Sequence, residues 1–221
     1  MLILKVSRSF FRYKRNFSAI DTYYRLAAME LRYLMDAIIK KRIKQVIKGD
    51  QDAFGEIVEI YKNSIYQLCF RMLGNRHEAE DIAQEAFIRA YVNIKSFNQD
   101  LKFSTWLFRI ATNLCIDRMR KKKPDHYLDA EVAGTEGLTM YSQVPSNTPL
   151  PETELESLEL QETVQKEILK LPDKYRSAIV LKYMEELSLN EISEILDLPL
   201  GTVKTRIHRG REALRQQLRY V

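Results

Sequence analysis

Cysteine is nearly absent from this 221-residue chain: Cys69 and Cys115 are its two, far apart and in no CxxC arrangement. That argues against a disulfide-stapled domain and a thiolate metal site, and each cysteine sits in an apolar helical pattern that predicts a buried free thiol. Histidine is as scarce. His77, His126 and His208 are dispersed, and there is no P-loop, GxSxG or HExxH string, so an enzyme has no site to stand on. Gly and Pro number only 7 and 6, which excludes collagen-like and low-complexity chains, while 45% hydrophobic residues suffice for a packed interior. No apolar run approaches the ~20 residues of a membrane span. The opening MLILKV is too short for a signal-peptide core, and the charged FFRYKRNF follows it without a small-residue cleavage site. A cytoplasmic protein is expected.

The net charge of +5 is unevenly placed. Residues 1–34 hold seven Lys/Arg and two Asp/Glu, which accounts for all of the excess. Residues 35–123 are net +6, residues 124–162 net −9 with no Lys or Arg, and residues 163–221 net +3. Two basic blocks therefore flank an acidic connector.

Helical periodicity dominates both blocks. Phe54, Ile57, Val58, Tyr61, Ile65, Leu68, Cys69 and Met72 form one stripe. Ala79, Ile82, Ala83, Ala86, Phe87, Ala90 and Tyr91 form a second, set off from the first by Gly74-Asn75. Trp106, Leu107, Ile110, Ala111, Leu114, Cys115 and Met119 form a third, after a polar loop at 96–103. With a short basic helix at 38–48 these predict an all-α domain over 36–123. Residues 124–158 contain four of the six prolines, among acids and Ser/Thr, and read as a flexible linker. A second all-α domain follows at 159–221. In it Ser188 and Glu191 make a capping box for a helix ending near Leu196, a break follows at 197–201, and Thr202 is expected to cap a last helix reaching about Leu218.

Two short helices joined by a tight turn suggest a helix-turn-helix. On the last helix Val203, Ile207, Gly210, Leu214 and Leu218 fall on one side at ~100° per residue. Thr202, Thr205, His208 and Arg209 fall on the other, flanked by Lys204 and Arg206. Hydroxyls and cations of this kind bond base edges and phosphates. A second basic feature, Arg118 to Lys123, holds five cations in six residues. It lies beside the aromatics Phe97, Phe103, Trp106 and Phe108, a pattern that fits a phosphate track with base-stacking groups, although most of these rings taken singly suit a core. On the second stripe's helix, Asp81, Gln84, Glu85, Ile88 and Arg89 face outward, a mixed face suited to a protein contact.

The strings DIAQEAFIRAY (81–91), FSTWLFRIATNLCIDRMRKKK (103–123), LPDKYRSAIVLKY (171–183) and LSLNEISEILDLPLGTVKTRIHRGREALRQQL (187–218) stand in an order and spacing that strongly resembles an extracytoplasmic-function (ECF) sigma factor, over about 36–220. The resemblance implies a non-catalytic, cofactor-free specificity subunit of RNA polymerase with two domains. It implies polymerase binding, at the β′ clamp helices and the β flap, with Asp81, Gln84, Glu85, Phe87, Ile88 and Arg89 on the clamp helices. Periodicity, by contrast, turns Phe87 inward. It implies minus-ten promoter contacts by Ser96, Phe97, Asn98, Phe103, Asn113, Arg118, Arg120 and Lys121, with a flipped base held between the 96–103 loop and Asn113. It implies minus-thirty-five contacts by Thr202, Lys204, Thr205, Arg206, His208 and Arg209. It further implies a membrane-anchored anti-sigma factor, no lipid insertion by the chain itself, and promoters that answer envelope stress or antimicrobial agents. In the family the acidic linker threads toward the polymerase active-site channel, where it would act as a nucleic-acid mimic. A stand-alone helix-turn-helix regulator is the competing reading. Residues 1–34 lie outside the resemblance. Met35 or Met29 is the expected start, the alternative being a basic aromatic arm that contacts lipid or DNA.

Overall fold

A computed structural model describes residues 34–122 and 152–220, apart from the side chains of 122, 152–159 and 220. The readings made for the N-terminal arm, for the linker up to 151 and for Lys123 fall outside the described residues. Among the described residues all regular structure is helical.

The first domain has four helices. Helix α1 covers 34–47, beginning before the expected 38, and buries Ile39, Ile43 and Val46 on one face. Sequence reading took this segment as merely basic; its i, i+4, i+7 spacing is the core signal. Full burial of an isoleucine is worth ~1.5–3 kcal/mol, so α1 is a structural part of the domain. Helix α2 (Asp52–Leu73) ends at Gly74, whose φ of 72° is the left-handed conformation that glycine adopts most cheaply. Asn75 then caps α3 (Arg76–Val92), its side chain accepting from the Glu78 N–H. Five small or β-branched residues of α3, Ala79, Ile82, Ala83, Ala86 and Ala90, are buried and let it lie close between its neighbours. Tyr91, expected inside, is 39% exposed and packs the side of its ring against Phe54 at 5.0 Å. Helix α4 (Phe103–Lys122) fills the domain with Leu107, Ala111, Leu114, Cys115 and Met119. Both cysteines are free and buried, as expected, and the Cys115 thiol is pushed well up by its hydrogen bond with Cys69 and by burial.

Helix α5 (Glu152–Lys170) starts inside the stretch read as linker. Its end packs on the first domain, where Gln165 Nε2 donates to the Arg71 carbonyl at 3.1 Å. Helix α6 (Asp173–Ile179) runs on into one wide π-type turn, Val180–Met184. Helices α7 (Leu189–Leu196) and α8 (Leu200–Gln217) complete the second domain around Ile179, Leu181, Ile192, Ile195, Val203 and Ile207. The buried side chains of the two domains form one continuous hydrophobic cluster.

Polar contacts close the same boundary. Arg71 Nη1 reaches the Met184 carbonyl at 3.0 Å and Glu185 Oε1 at 3.1 Å. Burial pushes the Glu185 carboxyl above its ordinary range, against the pull of Arg71. Arg176 of α6 crosses the boundary, bonding the Met72 carbonyl at 2.9 Å and Met119 Sδ at 3.1 Å. The same guanidinium bonds the Leu171 and Leu169 carbonyls on its own side.

Candidate nucleic-acid and polymerase interfaces

The loop between α3 and α4 is built by local hydrogen bonds. Asn93 Nδ2 donates to the Arg89 carbonyl at 2.8 Å, and Ser96 Oγ to the Asn93 carbonyl at 2.8 Å. Asn98 Oδ1 accepts from the Asp100 N–H at 3.0 Å, an Asx turn that sets the loop's path. Below the loop Phe97, Phe103 and Trp106 make a three-ring cluster with centroids 5.0–5.6 Å apart. Tyr61 joins it from α2.

This cluster corrects one expectation. Phe97 is 5% and Phe103 4% exposed, so neither offers a face to DNA. Phe108 is buried as well. These rings hold the loop and shape what lies above them. That feature is a groove of about 350 Å³ lined by Arg89, Asn93, Ser96, Trp106, Ile110 and Asn113. Trp106, Ile110 and Asn113 line it because steps of four and three residues return to one side of α4. Of the expected minus-ten set, Ser96 and Asn113 meet here; Asn98 lies exposed on the loop. The sequence offers Trp106 as a base-stacking ring, though one that taken singly suits a core, and gives no role to Asn93 or Ile110, although the helical period of Trp106 and Ile110 with Asn113 was there to find.

The cations at the end of α4 are engaged with acids. Arg118 lies 3.6 Å from Glu78, and Arg120 Nη2 bonds Asp117 Oδ1 at 2.9 Å. Arg118 and Lys121 line a second concavity, of about 350 Å³, shared with Asp81, Glu85, Arg89 and Asp117.

On α3, Asp81, Gln84, Ile88 and Arg89 are exposed, and Glu85 is half-buried with its carboxylate 2.7 Å from Arg89 Nε. Phe87 is buried, so periodicity placed it rightly and the docking set loses it. Ile88 is 57% and Val92 71% exposed, an apolar pair one turn apart beside these charges.

In the second domain the capping box is present in full. Ser188 Oγ accepts from the Glu191 N–H, and Glu191 Oε2 accepts from the Ser188 N–H at 2.9 Å. Burial alone would raise the Glu191 carboxyl, but the Ser188 hydroxyl and amide together with Lys102 hold it down to about 2. Helix α7 therefore keeps this cap from neutral pH down through the usual carboxylate range and loses it as pH falls toward 2. Ser188→Ala is expected to destabilise the chain by ~1 kcal/mol in urea unfolding at pH 7; an unchanged midpoint would show that the cap carries no stability.

Helix α8 begins at Leu200 after Pro199, which stands at the cap without a side-chain bond. Thr202 therefore sits inside the first turn, a correction to its expected capping role. The turn before it uses Asp197 in the left-handed region, with φ 54°. Thr202, Lys204, Thr205, His208 and Arg209 are exposed, and Arg206 is half-buried. Thr205 Oγ1 donates to the Gly201 carbonyl at 2.9 Å, leaving its oxygen outward as an acceptor. Arg209 hydrogen-bonds the Tyr175 phenol of α6 and lowers its pKa, which fixes the guanidinium at the helix surface. Gly210 allows α6 and α8 to touch: a Cβ there would stand 2.6 Å from Ile179 Cγ1.

The chain matches two family models, Sigma-70 region 2 over residues 57–124 and Sigma-70, region 4 over 161–214. It is 76% identical to the ECF RNA polymerase sigma factor SigW of Bacillus subtilis over 84% of this chain and 99% of that protein. It is 36% identical to the ECF RNA polymerase sigma-E factor of Escherichia coli, over 82% of this chain and 93% of that one. Among solved structures it resembles CnrH in complex with the cytosolic domain of CnrY, with TM-score 0.60 at 23% identity over 83% of this chain and 98% of that one. It also resembles the sigma factor RpoE bound to the anti-sigma factor NepR from Bartonella quintana, with TM-score 0.54 at 22% identity over 75% and 96%.

Proposed function

The chain belongs to the ECF family of RNA polymerase sigma factors, and from that premise we propose how its surfaces divide the work of promoter recognition. It is a specificity subunit without catalytic chemistry of its own, and the polymerase it binds supplies the catalysis. The exposed α3 face of Asp81, Gln84, Ile88 and Arg89, with Glu85 steering Arg89, docks on the β′ clamp helices. The α3/α4 groove accepts one flipped base of the minus-ten strand, with Asn113 bonding the base edge. Arg118, Arg120 and Lys121 follow the strand's phosphates. Helix α8 enters the minus-thirty-five major groove, with Lys204 and Arg209 on phosphates or guanine edges and Thr205 accepting.

One observation carries this reading. A base-sized groove ending in a polar amide and a hydroxyl-and-cation helix face stand on two domains of one chain. A regulator acting alone on duplex operators has use for the second and none for the first. Solved relatives include complexes with anti-sigma factors. We extend that to this chain: an anti-sigma factor in the membrane holds it inactive until envelope stress. No helix among the described residues is long and apolar enough to cross a membrane.

In holoenzyme retention of a labelled promoter, Asn113→Ala is expected to weaken binding about 10-fold and to erase discrimination at one minus-ten position only. Lys204→Ala should weaken it comparably and leave minus-ten discrimination intact. Equal effects of both changes on scrambled and true promoters would refute the assignment.

A further inference from the structure

Two exposed cations on the outer side of α4 and its leading edge are each paired with a carboxylate of the second domain. Lys102 Nζ lies 3.0 Å from Glu191 Oε1, and Arg109 Nη2 lies 3.4 Å from Asp197 Oδ2. Arg109 belongs with the groove: at ~100° per residue it stands about 40° from Asn113 and 60° from Trp106 around the helix. A strand that puts a base between Trp106 and Asn113 must run its phosphates past this edge of α4.

We propose that Lys102 and Arg109 form a phosphate-binding site for the single DNA strand read in the groove, and that the Glu191 and Asp197 carboxylates occupy this site as phosphate stand-ins in the polymerase-free chain. The inference rests on the groove's assignment to the minus-ten strand.

The spacing supports a two-point mimic. The cations are seven residues apart and their partners six, about 10 and 9 Å along their helices, and the pairs run in the same order along both. Promoter geometry shows why the two ion pairs must part. The two elements are named for positions 25 base pairs apart, roughly 85 Å of duplex. In the closed chain α7 touches α4 directly, and α8 starts at Leu200, just beyond Asp197. Helix α8 has 18 residues, about 27 Å of length, so the groove and the α8 face cannot reach both elements together. Engaging both draws α7 off α4, and that same movement breaks the ion pairs of Lys102 and Arg109. Side-chain exposures of 55% and 44% for the two cations make the pairs weak enough to exchange for phosphate.

The test uses the full chain without polymerase and a fluorescein-labelled single-stranded minus-ten oligonucleotide, with a scrambled oligonucleotide beside it. The variant E191Q/D197N removes both carboxylates and adds no cation, and its amides keep a helix cap and tolerate the left-handed position. It is expected to bind about 5-fold more tightly than the parent. E59Q/E194Q, an equal charge change on exposed positions away from α4's outer edge, should bind like the parent. Adding K102A/R109A to the opened variant should abolish the gain and reduce the slope of log K against log salt by about 1.4, at ~0.7 for each single-strand phosphate. Equal tightening by both carboxylate pairs, or an unchanged salt slope, overturns the inference. Failure of the groove's assignment looks different: the opened variant would bind true and scrambled oligonucleotides alike, with or without Asn113→Ala.

Discussion

Arg176→Ala is expected to destabilise the chain by ~3–5 kcal/mol, the cost of stripping a buried, multiply bonded charge from its partners. The side chain is 13% exposed. Its guanidinium serves carbonyls of α2 and of the α5–α6 turn together with a thioether of α4. Removing it leaves carbonyls at the boundary without donors and opens a space where two domains meet. Each unsatisfied group costs ~1–3 kcal/mol, so the sum is set more by the orphaned acceptors than by lost attraction. Burial lowers the Arg176 pKa and Asp173 opposes that shift. At 2–4 °C per kcal/mol for a protein of this size, the melting temperature should fall by about 10 °C. Arg176→Lys keeps the charge and loses the planar fork, so an intermediate loss is expected. A fall below 2 °C for the alanine variant would show that the boundary is held by the apolar cluster alone.

Ile88→Glu is expected to weaken binding to core polymerase by 100-fold or more while leaving the melting temperature within 2 °C. Ile88 is 57% exposed, so the free chain loses little. In a docked face it would be an apolar anchor ringed by Asp81, Gln84, Glu85 and Arg89. Replacement forfeits its ~2 kcal/mol of burial and places a carboxylate in a dry contact, at a further cost of at least 1 kcal/mol. At 1.4 kcal/mol for each tenfold, these sum to the stated loss. Fluorescence titration of labelled chain with core polymerase measures it. Unchanged affinity would move the docking surface off this face of α3.

The helices were legible because their apolar residues recur at the helical period and their ends carry local signals, as Gly74-Asn75 and Ser188/Glu191 show. The core role of α1 was obscured by the lysines that share its sequence with Ile39, Ile43 and Val46. The site was legible where a side chain's direction follows from helix angle, which placed Ile88 and Lys204 outward and Phe87 inward; Asn113 came from the resemblance alone. It was not legible at Phe97 and Phe103. An aromatic beside a loop is written the same way whether it faces DNA or plugs the core, and only packing with Trp106 and Tyr61 decides. Pro199 took the cap expected of Thr202 because φ near −57° suits the entry to a helix. The contacts between domains had no local signature: Arg176 and Met72, or Lys102 and Glu191, are about a hundred residues apart, Arg176 and Lys102 read in the sequence as ordinary surface cations, and the local roles of Met72 in a core stripe and Glu191 in a capping box say nothing of a partner in the other domain.

Run-off transcription tests the central claim most directly. Purified chain is combined with core RNA polymerase and a panel of templates bearing ECF-type minus-thirty-five and minus-ten elements. A discrete product that requires chain and core polymerase together, and that falls when Asn113 or Lys204 is replaced by alanine, is the result expected here. Tight binding of the chain alone to the promoter duplex, with no product in the presence of polymerase, would contradict it.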